Sequence, residues 1–117
     1  MQMWEVEYYE TENGKRPAYD FVNDLPLKMR AKAFKEMEIL EEFGTNITMP
    51  YSKPMQNGVY ELRIQVASDI SRIFYFFFTG KKIILTNGFI KKSQKTPALE
   101  LNRALEYKAD YERRFSK

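Results

Sequence analysis

The sequence predicts an α+β domain in which a small, twisted, mainly antiparallel sheet is packed by an N-terminal helical hairpin and a C-terminal helix. The expected order is β-α-α-β-β-β-α. Three observations predict this class: two helical stretches before residue 44, three apolar strand-like runs between residues 59 and 92, and a charged helical segment after Pro97. The 117 residues are enough for one domain and not two, so we expect residues 1–117 to form a single domain.

The first half carries one strand and the two helices of the hairpin. Residues 4–10 alternate apolar and acidic side chains, which is typical of a half-exposed strand. Pro17 begins a short helix to about Leu25, and a second helix spans residues 27–43, with Gly44 at its C-terminal end. The spacing of three and four residues predicts that one face of the second helix is buried, and its members are Ala33, Phe34, Met37, Leu40 and Phe43.

The second half carries the hairpins of the sheet and the last helix. A polar loop over residues 45–58, with a short edge strand near residues 53–55, leads to strands at residues 59–66, 70–79 and 81–92. Short turns predict antiparallel pairing, and the middle strand is apolar on both faces, as in a strand covered on both sides. Thr96 is the predicted N-cap and Pro97 the first residue of the last helix. Its expected buried stripe is Leu101, Ala104, Tyr111 and Phe115.

Composition excludes several kinds of site. The chain has no cysteine and no histidine, which excludes disulfides and thiolate metal sites and would leave a zinc ion only carboxylate ligands. Its longest apolar run, at residues 73–78, is far shorter than a membrane span. The acidic N-terminus lacks the layout of a signal peptide. We therefore expect a soluble, cytoplasmic protein with no membrane partner.

Charge is distributed unevenly along the chain. Residues 1–58 contain 7 basic and 10 acidic residues, whereas residues 59–117 contain 12 basic and 6 acidic residues. A basic half with clustered charge indicates a polyanionic partner. An ordinary solvated surface is the alternative that charge alone leaves open.

Four cations are expected to converge on neighbouring strands. Strand alternation places Arg63 on the same face as Glu61, and neighbouring strands lie about 4.8 Å apart, so side chains from three strands can meet around one phosphate. Alternatively, Arg72 is satisfied internally by a salt bridge to Glu61 or Asp69. The predicted cluster consists of Arg63, Arg72, Lys91 and Lys92.

RNA chemistry at this cluster would have to proceed without histidine. Glu61 is a candidate general base, and a lysine whose pKa is lowered by neighbouring cations is another. Tyr60 and Phe89 are candidates for stacking on RNA bases, with core packing as the alternative that we favour for Phe89. Such a site needs a partner that orients the RNA.

The stretches "VYELRI", "SRIFYFF" and "ILTNGFIKKSQKTP", followed by a C-terminal helix, resemble the RelE/ParE toxin superfamily, in particular its HigB-like, phage-derived branch. The resemblance covers residues 4 to about 115. It implies the toxin of a type II toxin–antitoxin system, a ribosome-dependent endoribonuclease (mRNA interferase) that cuts mRNA in the A site and inhibits translation. It implies no metal and no other cofactor. The implied partners are mRNA, the ribosome and a helix-turn-helix, HigA-like antitoxin, with a toxin–antitoxin heterotetramer as one assembly.

The resemblance also assigns residues. Arg72 is the strongest candidate, since it matches the arginine before the family's hydrophobic-hydrophobic-Tyr segment. Asn87 occupies a position where many HigB-like sequences have histidine, so it can bind RNA but cannot titrate. The remaining implied site residues are Arg63, Lys91, Lys92 and Lys95, with Tyr60 as the tyrosine of the first motif.

Two other classes of function stay open at this point. One is a binding module without chemistry that docks on nucleic acid or protein, since the same superfamily includes toxins that poison DNA gyrase. The other is a protein whose cations are paired internally and whose work lies in an oligomeric interface. In that case, charge reversal at Glu61 should destabilise the fold strongly.

Overall fold

The computed structural model of the protein describes residues 3–92 and 95–116, and the predicted α+β class is confirmed. Ser93 and Gln94, which belong to the last motif stretch, lie outside the described residues. A short 3₁₀ turn (Gly44–Asn46) follows the second helix, which has the predicted bounds. The elements are β1 (Glu5–Tyr8), α1 (Pro17–Asn23), α2 (Leu27–Phe43), β2 (Ser52–Pro54), β3 (Tyr60–Val66), β4 (Asp69–Phe78), β5 (Lys82–Ile90) and α3 (Ala98–Phe115).

The five strands form one sheet in the order β1-β5-β4-β3-β2. β4 lies at the centre and is antiparallel to both β3 and β5, as the short turns predict. β1 pairs with β5 in parallel, which is possible because most of the chain separates the two strands. The short edge strand β2 pairs with the first three residues of β3 and leaves the rest of that edge uncovered.

Helices cover both faces of the sheet. The hairpin of α1 and α2 packs on the face that carries Leu62, Ile73 and Tyr75, all of which are fully buried. The last helix, α3, packs on the other face, where Phe74 and Phe76 are fully buried. The predicted covering of the central strand on both sides is therefore confirmed. Among residues 3–92 and 95–116, no helix has both the length and the apolar character that crossing a bilayer requires.

Three aromatic residues predicted to be buried are instead half exposed: Phe34 is 45%, Phe43 48% and Phe115 54% exposed. Phe34 lies about 100° around the helix from the buried Ala33, outside the stripe of buried residues that packs on the sheet. Phe43 and Phe115 are the last residues of α2 and α3, where a helix passes beyond the sheet. The helical spacing therefore predicted which side of each helix is buried, but not which residues at its margin and at the helix ends are exposed.

The start of α3 also differs from the prediction. Pro97, and not Thr96, occupies the N-cap position, and no side chain of the described residues caps the helix there. The Thr96 hydroxyl instead donates a hydrogen bond of 2.7 Å to Glu61 Oε2 on β3. The residue predicted as a cap therefore ties the segment before α3 to the sheet.

Gly44 is a position where we expect even one added methyl group to destabilise the fold. Its φ is +52°, and a Cβ atom there would lie 2.1 Å from Trp4 Nε1. Gly44→Ala should lower the free energy of unfolding by about 3 kcal/mol. The strain of an alanine with a left-handed backbone and the overpacking of its Cβ against Trp4 both contribute to this loss. Gly80→Ala is the matched control, because Gly80 has φ +83° and no atom of the described part of the chain lies within 4 Å of a Cβ placed there. Denaturant unfolding that showed equal losses would contradict the Trp4 contact as the cause.

Candidate functional site

The register of the sheet places two arginines directly opposite each other. Arg63 of β3 pairs with Arg72 of β4, and Arg72 pairs in turn with Phe89 of β5. Like charges directly opposite on antiparallel strands are destabilising. Repulsion between the two facing arginines therefore lowers the stability of the sheet, and an anionic ligand bound beside them would reduce this repulsion.

Glu61 is the carboxylate that holds Arg72. It is 1% exposed, its Oε1 lies 3.5 Å from Arg72 Nε, and its Oε2 accepts the hydrogen bond from Thr96. The predicted internal pairing of Arg72 is thus present with Glu61, one of its two expected partners. The contact is an ion pair without hydrogen-bond alignment, since neither Oε1 nor Nε has a hydrogen-bond partner among the described residues. Glu61 fixes Arg72 in place and neutralises only part of the cluster.

The cations surround one open cavity of about 580 Å³. Of the described residues that line it, five are cations and none carries a carboxylate. Met49, Pro50 and Ile70 contribute apolar wall. Such a cavity has the charge and the donors to bind phosphate groups. Its cations are Lys53, Arg63, Arg72, Lys91 and Lys92.

Burial and mutual repulsion shift the pKa values of two of these groups. Burial lowers the pKa of Lys91, and the positive charges of Arg72, Lys53 and Arg63 lower it further, against the opposing effect of Glu61. Burial also lowers the pKa of Arg72, where Glu61 again opposes the shift. Lys91 is therefore a cation of the cavity that loses its proton more readily than an ordinary lysine.

The structure brings together Arg63, Arg72, Lys91 and Lys92 as the sequence predicts, with Glu61 beside them. Lys95 is exposed in the segment that leads to α3. Lys53 was not among the predicted site residues, although the edge strand predicted near residues 53–55 could have placed it beside them. On β2, Lys53 lies opposite Glu61.

Tyr60 does not lie with the cations. It occupies the other face of the sheet, where its ring stacks on Tyr75 at a centroid distance of 5.5 Å and packs edge-on against Phe77 at 5.4 Å. Neighbouring residues of a strand point to opposite faces, so Tyr60 cannot share a face with Glu61. Tyr60 therefore does not share a face with the cationic cluster, and its stacking on RNA stays a prediction.

Asn87 and Phe89 are both buried and make contacts within the fold. Asn87 is buried, and its amide donates to the Glu100 carbonyl at 3.1 Å and to Glu100 Oε1 at 3.3 Å, which ties β5 to α3. Phe89 is buried against Phe74 at a ring distance of 5.5 Å. Core packing, the alternative favoured for Phe89, is therefore confirmed, and the binding of RNA by Asn87 stays a prediction.

The fold and the cavity together define a small α+β protein with a cation-lined site suited to an anionic ligand. Residues 20–109 match the family described as phage derived protein Gp49-like (DUF891), and the chain belongs to that family. The family is one of RelE/HigB-type toxins, associated with toxin–antitoxin systems, and an antitoxin partner is expected for it. A comparison with curated proteins finds no match.

Proposed function

We propose that the protein is the HigB-like toxin of a type II toxin–antitoxin system and that it cuts mRNA in the ribosomal A site without a metal ion. The cavity supports this most directly: of the described residues that line it, five are cations and none carries a carboxylate. Two of the five are arginines that face each other across β3 and β4. This arrangement matches the charge of a phosphodiester backbone. The proposed partners are mRNA, the ribosome and a HigA-like helix-turn-helix antitoxin, in the cytoplasm.

In the proposed reaction, the arginines stabilise charge at the scissile phosphate. The 2′-oxygen attacks phosphorus, the bond to the 5′-oxygen breaks, and the products are a 2′,3′-cyclic phosphate and a 5′-hydroxyl. Arg72, fixed by Glu61, offers the planar fork that matches phosphate oxygens, and Arg63 approaches from the opposite strand. Cations fixed before the reaction stabilise the developing charge without reorganisation.

Lys91 is the proposed proton acceptor for the 2′-hydroxyl. Glu61 is less suited to this role, because it is 1% exposed and its two oxygens face Arg72 and Thr96. Lys91 lines the cavity and has a lowered pKa, so its neutral form is more accessible than that of an ordinary lysine. A neighbouring ammonium group, such as that of Lys92, would protonate the leaving 5′-oxygen.

Dependence on the ribosome follows from this chemistry. A lysine remains mostly protonated at neutral pH, so the site by itself is a slow catalyst. Alignment of the 2′-oxygen with the phosphate by a partner can supply several kcal/mol of the barrier. The ribosome is proposed to supply that alignment.

The test is primer extension on a defined mRNA, with and without programmed ribosomes, after both have been freed of contaminating nuclease. We expect cuts within the A-site codon only when ribosomes are present, with 2′,3′-cyclic phosphate ends. Efficient cutting of free RNA at physiological salt would contradict the A-site mechanism. No cutting in either condition would instead support a binding module without chemistry.

The pH dependence of cleavage tests the role of Lys91. Since neutral Lys91 is the active form and its pKa is lowered, the single-turnover rate should rise with pH from about 6 to 9. Lys91→Arg keeps the charge but holds its proton, so it should lower the rate by about 10²-fold and remove the rise. Lys92→Arg is the matched control and should keep the rise. A Lys91→Arg profile parallel to that of the wild type would exclude Lys91 as the base.

A further inference from the structure

A second cavity, of about 620 Å³, adjoins the cationic one, and its lining is mainly apolar. It lies where the turn between α1 and α2 meets the turn between β3 and β4 and the end of β5. Seven of the described residues that line it are apolar, and two of these, Leu27 and Ile90, are 75% and 53% exposed. Ligand sites are typically concave and mainly apolar, with a few polar groups that orient the ligand. We call this the apolar cavity.

Lys91 belongs to both cavities. Of the five cations described at the cationic cavity, it is the one that also lines the apolar cavity. Its backbone N–H donates a hydrogen bond of 2.8 Å to the carbonyl of Ile70, which also lines both cavities. This bond fixes the backbone of Lys91 where the two cavities meet.

The surroundings of Lys91 favour its neutral, nucleophilic form. Burial lowers its pKa, and the positive charges of Arg72, Lys53 and Arg63 lower it further, while Glu61 opposes the shift. A lysine amine attacks a carbonyl carbon only after it has lost its proton. The same cations that lower the pKa can bind the phosphate of an incoming reagent. Lys91 therefore combines a reactive amine with an anion site on one side and an apolar site on the other.

We propose that the two cavities together bind an acyl phosphate and that its acyl group is transferred to Lys91. The phosphate lies among the cations of the first cavity, and the hydrocarbon chain lies in the apolar cavity. The Nζ lone pair attacks the carbonyl carbon, an N–C bond forms, and the C–O bond to the phosphate breaks. The phosphate leaves with the electron pair of that bond and takes the proton that Nζ loses. The products are an amide and hydrogen phosphate.

Acylation of Lys91 regulates the cationic cavity. The amide is neutral, so the cavity loses one of its five described cations and also the amine that is the proposed proton acceptor. We expect protein acylated at Lys91 to cleave mRNA about 10²-fold more slowly than unmodified protein. The modification itself needs no nuclease activity, whereas this effect on cleavage rests on the proposed function.

Mass spectrometry of the full chain treated with butyryl phosphate tests the proposal. In the described part of the chain, Lys28 lines the apolar cavity and not the cationic one, whereas Lys53 and Lys92 line the cationic cavity and not the apolar one. We expect Lys91 to be butyrylated at least about tenfold faster than each of these three lysines, because it is placed for both parts of the reagent. Comparable rates at the four lysines would overturn the proposal.

A reagent without phosphate separates binding from the intrinsic reactivity of the amine. N-hydroxysuccinimidyl butyrate transfers the same acyl group, and its preference for Lys91 over Lys28 should be at least about fivefold smaller than that of butyryl phosphate. Added inorganic phosphate should slow the reaction of Lys91 with butyryl phosphate more than its reaction with the succinimidyl ester. Equal preferences from the two reagents would show that a reactive amine alone explains the labelling, and would overturn the acyl phosphate site.

Two pairs of variants assign the two parts of the site. Arg63→Gln should slow butyrylation of Lys91 by butyryl phosphate about tenfold, whereas Arg103→Gln should react as the wild type does. The wild type should react about tenfold faster with butyryl phosphate than with acetyl phosphate, because the longer chain buries more apolar surface. Leu27→Ser should lower that preference to about threefold, and Leu99→Ser, an exposed leucine on α3, should keep it. Wild-type behaviour of Arg63→Gln or of Leu27→Ser would overturn the proposal.

Cleavage assays separate this proposal from the proposed function. Selective acylation of Lys91 in a protein that cuts no mRNA would overturn the nuclease and leave the acyl phosphate site. Cleavage by a protein whose Lys91 is not selectively acylated would overturn the acyl phosphate site and leave the nuclease. Equal cleavage rates before and after butyrylation of Lys91 would overturn the regulation.

Discussion

Glu61→Lys is expected to lower the free energy of unfolding by about 3–5 kcal/mol, enough to prevent folding of a domain of ordinary stability. The substitution places an ammonium group beside Arg72 in a position that is 1% exposed, and it removes the acceptor of the Thr96 hydroxyl. Denaturant unfolding of the purified variant measures the loss. Wild-type stability in Glu61→Lys would show that the ion pair with Arg72 is not part of what holds the sheet.

Glu61→Gln is the matched control, and it also decides which role Glu61 has. The amide oxygen can still accept from Thr96, so we expect a loss of only about 1–2 kcal/mol. If Glu61 positions Arg72, cleavage should fall by about tenfold or less. If Glu61 is the general base, cleavage should fall by about 10²–10⁴-fold, which would contradict the assignment to Lys91.

Arg63→Gln is expected to lower ribosome-dependent cleavage by about 10²–10³-fold while leaving the protein at least as stable as the wild type. Arg63 lies directly opposite Arg72, and removing one of two facing like charges should stabilise the sheet by about 0.2–1 kcal/mol. A loss of activity with a gain of stability is the signature of a residue retained for function. Thermal unfolding and single-turnover cleavage measured on the same preparations give both numbers.

Arg103→Gln is the control for general loss of positive charge. Arg103 is on α3, is half exposed and paired with Glu100, and is not among the described residues that line the cavity. The Arg103→Gln variant should cleave mRNA at the wild-type rate, apart from a small change in how that rate depends on salt concentration. Equal losses in Arg63→Gln and Arg103→Gln would mean that overall charge, and not the cavity, sets the activity.

Local patterns predict most of this fold. Gly44 and Pro26 bracket the helix Leu27–Phe43, and short turns fix the antiparallel hairpins around β4. The parallel pairing of β1 with β5 has no local signal, because residues far apart in the chain decide it. Thr96 and Pro97 form a local capping signal, but the buried Glu61 carboxylate takes the threonine hydroxyl instead.

The site residues that strand alternation places could be predicted from the sequence, whereas those that tertiary contacts bring to the site could not. Alternation and short turns place Arg63 and Arg72 on one sheet face, and the same alternation excludes Tyr60 from it. Lys53 was missed, because its place beside the other cations depends on the pairing of β2 with β3 and not on alternation within one strand.

We propose that mRNA is cut in the cation-lined cavity, and single-turnover cleavage on programmed ribosomes tests this proposal most directly. The comparison is Glu61→Gln alone against Glu61→Gln combined with Arg72→Ala, so that no buried carboxylate is left without its cation. With folding of both variants verified by circular dichroism, we expect the added Arg72→Ala to lower the rate by about 10²–10³-fold. Equal rates for the two variants would contradict it and place the chemistry elsewhere on the protein.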